Sequence, residues 1–367
     1  MRITHSPVVI RFGRLGDTVL LQPLLRKLHH RFGQPCQLLA LGDWPSVLFS
    51  AQPEVAGHIS LRTQHGPLWM HPQRWRAALL LRQLRSSPFY ICEPAPRTQA
   101  KVRPMLALAG VPAERCTFIE DMPLREGEHW VDWLSRFGDT TPAAFRKAYT
   151  PVTEPSPAVP QLRVTATERT DLDAWLRAQG MHGRPLVLLQ PANKRTMRWN
   201  GVRQAADDSK SWPVERWAEL ARAISCRMPQ AQILLCGSAA EGGYLQTILA
   251  AMGTVSSRVV AAVLPLGRLK ALLEIAHSMV SVDTGPAHLA AAMGCPLVVL
   301  FGDRSPLLWA PRGAAGSAVA VVGGLPGVRR VDQIDAAQVV AVWQQLPLSP
   351  SMTTADPFTG LADVAAG

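Results

Sequence analysis

Apolar residues along the chain fall into two kinds of run, and their alternation predicts the architecture. "VVIRF" at residues 8–12 is almost continuously apolar, the pattern of a strand buried on both faces. It leads into "GRLGDTVLLQPLLRKLHHRFG", where Val19, Leu20, Leu24, Leu25 and Leu28 recur at helical spacing. A strand, a glycine turn and one helix are expected there, with "CQLLALG" as the next strand. Strands alternating with helices in this way imply a parallel sheet covered on both faces.

The alternation stops at "TPVTEPSPAVPQ", residues 150–161, where prolines stand at 151, 155, 157 and 160. Such a stretch has no periodic apolar face and predicts an extended linker over 151–161. Beyond it the pattern resumes: "TERTDLDAWLRAQG" as helix, "PLVLLQP" as strand, "PVERWAELARAISCRM" as helix and "AQILLCGS" as strand. Next come "LGRLKALLEIAHS" as helix, "MVSVD" as strand, "GPAHLAAAMG" as helix, "PLVVLFG" as strand and a last helix near "IDAAQVVAVWQQL". Two α/β domains follow, over 1–150 and 162–346, and the composition of 347–367 predicts a disordered tail.

With 367 residues the chain is long enough for two well-buried cores. Its hydrophobic fraction of 47% and charged fraction of 18% suit a globular protein. The first apolar run is broken at Arg11 before it can form the core of a secretory signal. The longest uncharged stretch, 284–302, is interrupted by Gly285, Pro286, Gly294 and Pro296, which argues against a spanning helix. A cytoplasmic location is therefore expected. The six cysteines are scattered without a CxxC pair, so they read as reduced thiols rather than metal ligands or a redox motif.

The net charge of +11 comes almost entirely from arginine. Arginine favours bidentate contacts with phosphate and carboxylate, which suits an anionic partner, although a GC-rich genome produces the same bias. The charge is concentrated over residues 61–103, where Arg62, Arg74, Arg76, Arg82, Arg85, Arg97, Lys101 and Arg103 face the single acid Glu93. One positive wall is expected.

Three segments carry candidate chemistry. In "SVDTGPAHLAAAMG", Asp283 ends a strand, Thr284 and Gly285 turn the chain, and Pro286 occupies the first turn of a helix, where proline is tolerated. The amides and positive dipole of such a helix start can hold phosphate oxygens at the carboxyl edge of a parallel sheet. His288 lies one turn in. The spacing is equally that of an ordinary strand-to-helix turn. In "GRLGD", Gly13 and Gly16 allow a tight turn and Asp17 stands where the helix begins, as a helix cap or as a general base. The GxGxxG dinucleotide fingerprint is absent there, which disfavours a dehydrogenase. Lys210 precedes the helix that carries Val214, Trp217 and Leu220, as a solvated lysine or as a counter-charge to phosphate.

Taken in order, "GRLGD", "KSWPVERWAEL", "CGSAAE" and "DTGPAHLAAAMGCPLVVLFG" resemble glycosyltransferase family 9, the heptosyltransferases of lipopolysaccharide assembly; the resemblance spans about residues 8–345. It implies a GT-B fold, two Rossmann-like domains with parallel sheets facing across a cleft. It also implies inverting transfer of a heptose or related sugar from an ADP-sugar donor to a lipopolysaccharide core or similar anionic glycan, without metal or cofactor. By motif, Asp17 matches the catalytic base and Lys210 a catalytic lysine near the donor phosphates. Asp283, Thr284, Gly285, Pro286 and His288 match the donor turn, and Glu241 matches an acid that contacts the ribose. Lys194 and Arg195, in the unusually long loop "PANKRTMRWNGVRQAADDSK", are further donor candidates. Gly16, Arg97, Lys101 and Arg103 are acceptor candidates. A peripheral place at the cytoplasmic face of the inner membrane is implied as well.

Two tempting features are set aside. "DLD" at 171–173 looks like a metal-binding DxD but falls in a helix expected to begin near Thr170, where it reads as a first-turn charge pair. Cys295 has no activating partner in the sequence and reads as a buried thiol. The competing class is a basic nucleic-acid- or nucleotide-binding protein without transferase activity. The sequence lacks the aromatic RNA-binding strand, the Cys/His finger or the basic heptad helix that would support it.

Overall fold

The structure, a computed structural model, describes residues 5–63, 71–146, 158–194, 196–198, 201–202, 207–260, 263–313 and 317–347. The chain divides into two compact units, Met1–Arg163 and Val164–Gly367.

The first unit contains strands β1 (Val8–Arg11), β2 (Cys36–Leu41), β3 (Val55–Leu61), β4 (Phe89–Ile91) and β5 (Cys116–Phe118). Its helices are α1 (Leu15–Val19), α2 (Gln22–Phe32), α3 (Trp44–Leu48), α4 (Pro72–Gln83), α5 (Pro96–Leu108) and α6 (Trp130–Phe137). All strand pairs are parallel and the order is β3-β2-β1-β4-β5. Val8, Ile10, Leu39, Phe89 and Ile91 pack one face against Ala77, Leu81, Val102 and Met105 of α4 and α5.

One helix was expected after β1, and two are found. Pro23 has no N–H to donate to Val19 one turn back, so the chain breaks at Leu20–Leu21 and α2 starts afresh with Pro23 in its first turn. The end of the proline-rich stretch lies against this unit. Ala158 N donates to Asp132 Oδ1 at 3.2 Å, Gln161 N to Gln22 Oε1 at 2.9 Å, and Gln52 Nε2 to Gln161 O at 2.6 Å. Residues 151–157 of the expected linker and 348–367 of the expected tail lie outside the described residues.

The second unit contains β6 (Leu186–Gln190), β7 (Met197–Arg198), β8 (Gly201–Val202), β9 (Gln232–Leu235), β10 (Ser257–Val259), β11 (Ser278–Val282), β12 (Leu297–Phe301) and β13 (Val319–Gly323). Its helices are α7 (Ala166–Ala178), α8 (Val214–Arg227), α9 (Gly242–Met252), α10 (Leu266–Ile275), α11 (Gly285–Ala292), α12 (Pro306–Trp309) and α13 (Ala336–Gln344). Six strands form a parallel sheet in the order β10-β9-β6-β11-β12-β13, and β7 and β8 form a separate antiparallel pair. Under the sheet, Trp212 and Trp217 meet edge to face with centroids 4.8 Å apart, and Trp212 Nε1 donates to Ile334 O at 2.8 Å. Both rings are fully buried, so this contact adds to an already large apolar burial.

Helix α7 begins at Ala166, a turn earlier than expected. Thr165 Oγ1 accepts from Glu168 N at 3.2 Å while Glu168 Oε2 accepts from Thr165 N at 2.8 Å, a capping box that starts the helix. Asp171 and Asp173 are therefore beyond the first turn and turn to side-chain partners. Asp171 pairs with Arg268 at 2.8 Å and Asp173 with Arg177 at 2.9 Å. Cys36, Cys92, Cys236 and Cys295 are buried, and burial raises their thiol pKa values, so these sulfurs stay protonated. Among the described residues no helix is long and apolar enough to cross a membrane.

Candidate functional site

Both sheets start in the middle, wind one way, return and wind the other. Ligands of such sheets bind beyond the carboxyl ends of the two strands where the direction reverses. The reversal lies between β1 and β4 in the first unit and between β6 and β11 in the second. The sequence candidates collect at these two places.

In the second unit Asp283 follows the last residue of β11, and its amide donates to Leu300 O at 3.1 Å, extending the sheet contact by one residue. Lys210 Nζ donates to Asp283 O at 2.9 Å and also to the Asp283 carboxylate. Both side chains are largely buried, at 17% and 12% exposure, so the ion pair forms where water screens it little. Thr284 is extended and caps α11, with Oγ1 3.3 Å from Ser281 Oγ. Gly285 and Pro286 open that helix, whose first amides have no intrahelical acceptor. His288 is buried one turn further in.

Lys210 is placed by residues the sequence reading passed over. Asp208 is 2% exposed; its Oδ1 accepts from Lys210 N at 3.1 Å and its Oδ2 from Asn193 Nδ2 at 2.8 Å. Asn193 N in turn donates to Thr196 Oγ1 at 2.9 Å. These bonds satisfy a carboxylate that would be costly to bury alone. They also close the two ends of the long charged loop onto each other beside β6. In the sequence, "DDSK" reads as a solvated run, and nothing local marks the second aspartate as interior.

Lys194 is exposed in that loop, and Arg195 lies outside the described residues. Glu241 is buried after β9, where its Oε2 accepts from Ser238 N at 2.6 Å. One of its oxygens is thus committed to shaping the turn.

In the first unit Asp17 lies in α1, with Oδ2 accepting from Arg14 N at 2.9 Å and Oδ1 from Arg11 Nη2 at 2.8 Å. Gly13 is needed for this turn, because a Cβ there would sit 2.3 Å from Asp17 Cβ. Gly16 is buried, its carbonyl accepting from Leu20 N at 3.0 Å. Arg11 is the last residue of β1 and only 8% exposed. Its Nη1 donates to Cys92 O at 2.9 Å and lies 3.6 Å from Glu93 Oε2. Glu93 follows β4 and is buried, accepting from Phe12 N through its carboxylate and from Gln99 Nε2 through its carbonyl.

The electrostatics of this group follow from its burial. Desolvation pulls the Arg11 pKa down, but Asp17 and Glu93 outweigh it and the net shift is upward. Desolvation raises the Glu93 pKa, and the attraction of Arg11 and the Phe12 N–H offset it only in part. Arg11 and Glu93 were missed as site residues. The available signal was compositional: Arg11 is the one charge in an apolar strand, and no other acid occurs between Glu54 and Arg103.

The expected positive wall is thinner than the sequence implies. Arg74 is buried and donates through Nη2 to Lys101 O at 3.1 Å. Arg103 pairs with Glu120 and stacks over Phe118 at 3.9 Å from the ring centroid, so its charge is already answered. Arg97, in the first turn of α5, and Arg76, Arg82 and Arg85, in and just after α4, remain exposed. Lys101 is half-buried. Among the described residues no group of three or more His, Cys, Asp or Glu is placed to hold a metal ion.

Residues 159–333 match the family model described as glycosyltransferase family 9 (heptosyltransferase). The chain is 25% identical to lipopolysaccharide heptosyltransferase 2 of Escherichia coli strain K12 over 338 residues, covering 89% of this chain and 90% of that protein. Among solved structures, E. coli ADP-heptose lipopolysaccharide heptosyltransferase II superposes with a TM-score of 0.70 at 23% identity, over 92% of this chain and 97% of that one. An E. coli heptosyltransferase solved with ADP superposes with a TM-score of 0.59 at 18% identity, over 92% and 99%. Two parallel α/β units in one chain are thus the GT-B fold of these enzymes.

Proposed function

Because the chain belongs to glycosyltransferase family 9 and is a glycosyltransferase acting in lipopolysaccharide synthesis, we propose that it transfers a heptose from ADP-heptose to an anionic lipopolysaccharide-core acceptor. The reaction inverts the anomeric centre and needs no metal. The observation that carries this reading is the Lys210–Asp283 pair beside the start of α11, at the strand reversal of the second unit. A lysine and unpaired helix amides suit a diphosphate, whose charge grows as the sugar leaves.

Each residue then has a task. Lys210 and the amides around Gly285 stabilise the departing ADP. Asp283 holds the lysine in place through both its carbonyl and its carboxylate. Thr284 and His288 complete the donor turn, and Glu241 meets the ribose. Asp17 takes the proton from the acceptor hydroxyl, which must approach from the side opposite the leaving diphosphate for inversion. The transition state has oxocarbenium character. An ordinary carboxylate is a weak base, so Asp17 acts late, when the hydroxyl has become acidic. Arg97 and Lys101 attract the anionic core.

The same reading puts the protein peripherally at the cytoplasmic face of the inner membrane. Supporting it, α4 exposes Trp75 and Leu79 in one stripe with Arg82, a combination that suits an anionic lipid surface. Vesicles containing anionic lipid should sediment the protein, and neutral vesicles should not. Equal behaviour with both removes this placement.

The deciding experiment is calorimetric titration with ADP, UDP and GDP, with and without magnesium, on the wild type and Asp283→Ala. Metal-independent binding of ADP alone, lost in the variant, supports the reading. Preference for UDP or GDP removes heptose as the donor sugar.

A further inference from the structure

Beneath Asp17 the first unit holds a charged group that the proposed reaction does not itself require. Arg11 is buried at the end of β1, with Asp17 from α1 on one side and Glu93 and the Cys92 carbonyl from the end of β4 on the other. The Trp130 ring of α6 covers it, 5.4 Å from the guanidinium carbon. Its Nε has no hydrogen-bond partner among the described residues. An apolar side chain would fill this place without that cost, so a guanidinium here is an expensive way merely to pack a strand end. Its two Nη atoms, by contrast, are both used, and one of them reaches the single carboxylate of the group that solvent can enter: the Asp17 side chain is 29% exposed.

We infer that Arg11 is the positioning residue of Asp17, with Glu93 holding the guanidinium in the orientation that grips Asp17 Oδ1. One arm of the planar fork holds Asp17 Oδ1 from its buried side while the other is fixed by the Cys92 carbonyl, and Arg14 N donates to Asp17 Oδ2. Gly13 makes room for this arrangement, since any side chain there would strike Asp17. Arg11 of β1 and Glu93 beyond β4 are both coupled to Asp17 through their charges, and the Cys92 thiol stays neutral. Arg11 favours the ionised form and Glu93 opposes it through its own charge. The two residues therefore act on Asp17 with opposite signs.

This inference rests on Asp17 being the base, and two separate readouts keep them apart. The first is the titration of the Asp17 carboxyl carbon by NMR, in protein labelled at aspartate and assigned with Asp17→Asn. Arg11→Gln should move the midpoint up by about one unit or more, and Glu93→Gln should move it down. The second is turnover, read as ADP release from ADP-heptose with lipopolysaccharide core as acceptor. Arg11→Gln should lower kcat by about 10- to 100-fold while ADP affinity stays within about twofold. Arg11→Lys keeps the charge without the fork, so it should preserve the midpoint yet still lose turnover. If Arg11→Gln fails to fold, Glu93→Gln and Arg11→Lys decide the matter. An unmoved midpoint in Arg11→Gln or Glu93→Gln, or wild-type turnover in Arg11→Lys, overturns the proposal. Moved midpoints with an active Asp17→Asn protein leave Arg11 in its place and remove Asp17 as the base instead.

Discussion

The two strand reversals of this molecule share a topology and differ in what they do with charge. At β1 and β4 one buried guanidinium lies between two carboxylates, and the outer one, Asp17, is partly exposed. At β6 and β11 an ammonium and a carboxylate neutralise each other beside hydroxyls and a helix start. The first arrangement leaves a net negative group available to a proton. The second is neutral as a pair and leaves the donors of a helix start for an anion. A parallel sheet dictates where a site lies, and the few side chains beyond its strand ends dictate which charge a ligand meets there.

The sharpest way to break this contrast is to remove one charge from each place. Asp17→Asn should lower turnover by about 10²- to 10⁴-fold with ADP affinity unchanged, in steady-state kinetics and calorimetry on the same preparation. If the loss appears in ADP affinity instead, the division of labour between the units is reversed. Lys210→Ala comes next. It leaves Asp283 without its partner and should weaken ADP binding by about 2 kcal/mol or more, measured by titration. Gly13→Ala tests how tightly the first site is built: the new methyl must displace Asp17, so a loss of about 1–3 kcal/mol in thermal unfolding should accompany reduced turnover.

The smallest effect concerns the support of α6, whose Trp130 covers Arg11. Glu128 bonds Arg136 through both oxygens at 2.7 Å, and those hydrogen bonds hold its pKa below the usual 4.5. A depressed carboxylate stabilises the fold above its unfolded value and stops doing so as acid protonates it. Glu128→Gln should therefore cost about 1 kcal/mol or less at neutral pH, and the difference from wild type should shrink as the pH falls through 4.5 and below. Denaturant melts at two pH values read this directly.

Much of the fold was legible in the chain because its signals are local. Continuous apolar runs marked β1, β6, β11 and β12, and helical spacing marked α8 and α10. Thr284, Gly285 and Pro286 announced the start of α11 through their own backbone preferences. Where the local signal was misread, another local rule explains it: Pro23 divided one expected helix, and the Thr165–Glu168 box started another early. Short strands such as β10 and β13 escaped because three to five residues at the outer positions of a sheet carry little periodicity.

The sequence alone therefore determined the α/β class, many of the strands and helices beside the candidate turns, and the candidate residues at those turns. It could not determine which turns meet. Lys210 and Asp283 are 73 residues apart, and they meet because the strand order places β11 beside β6. The same reversal in the first unit brings Glu93 to Arg11, and another contact cancels Arg103 with Glu120. Strand order depends on how crossover helices pack across the whole sheet, and the effect of a charge depends on its distance from the next one and on the water between them. Those quantities exist only once the chain has folded.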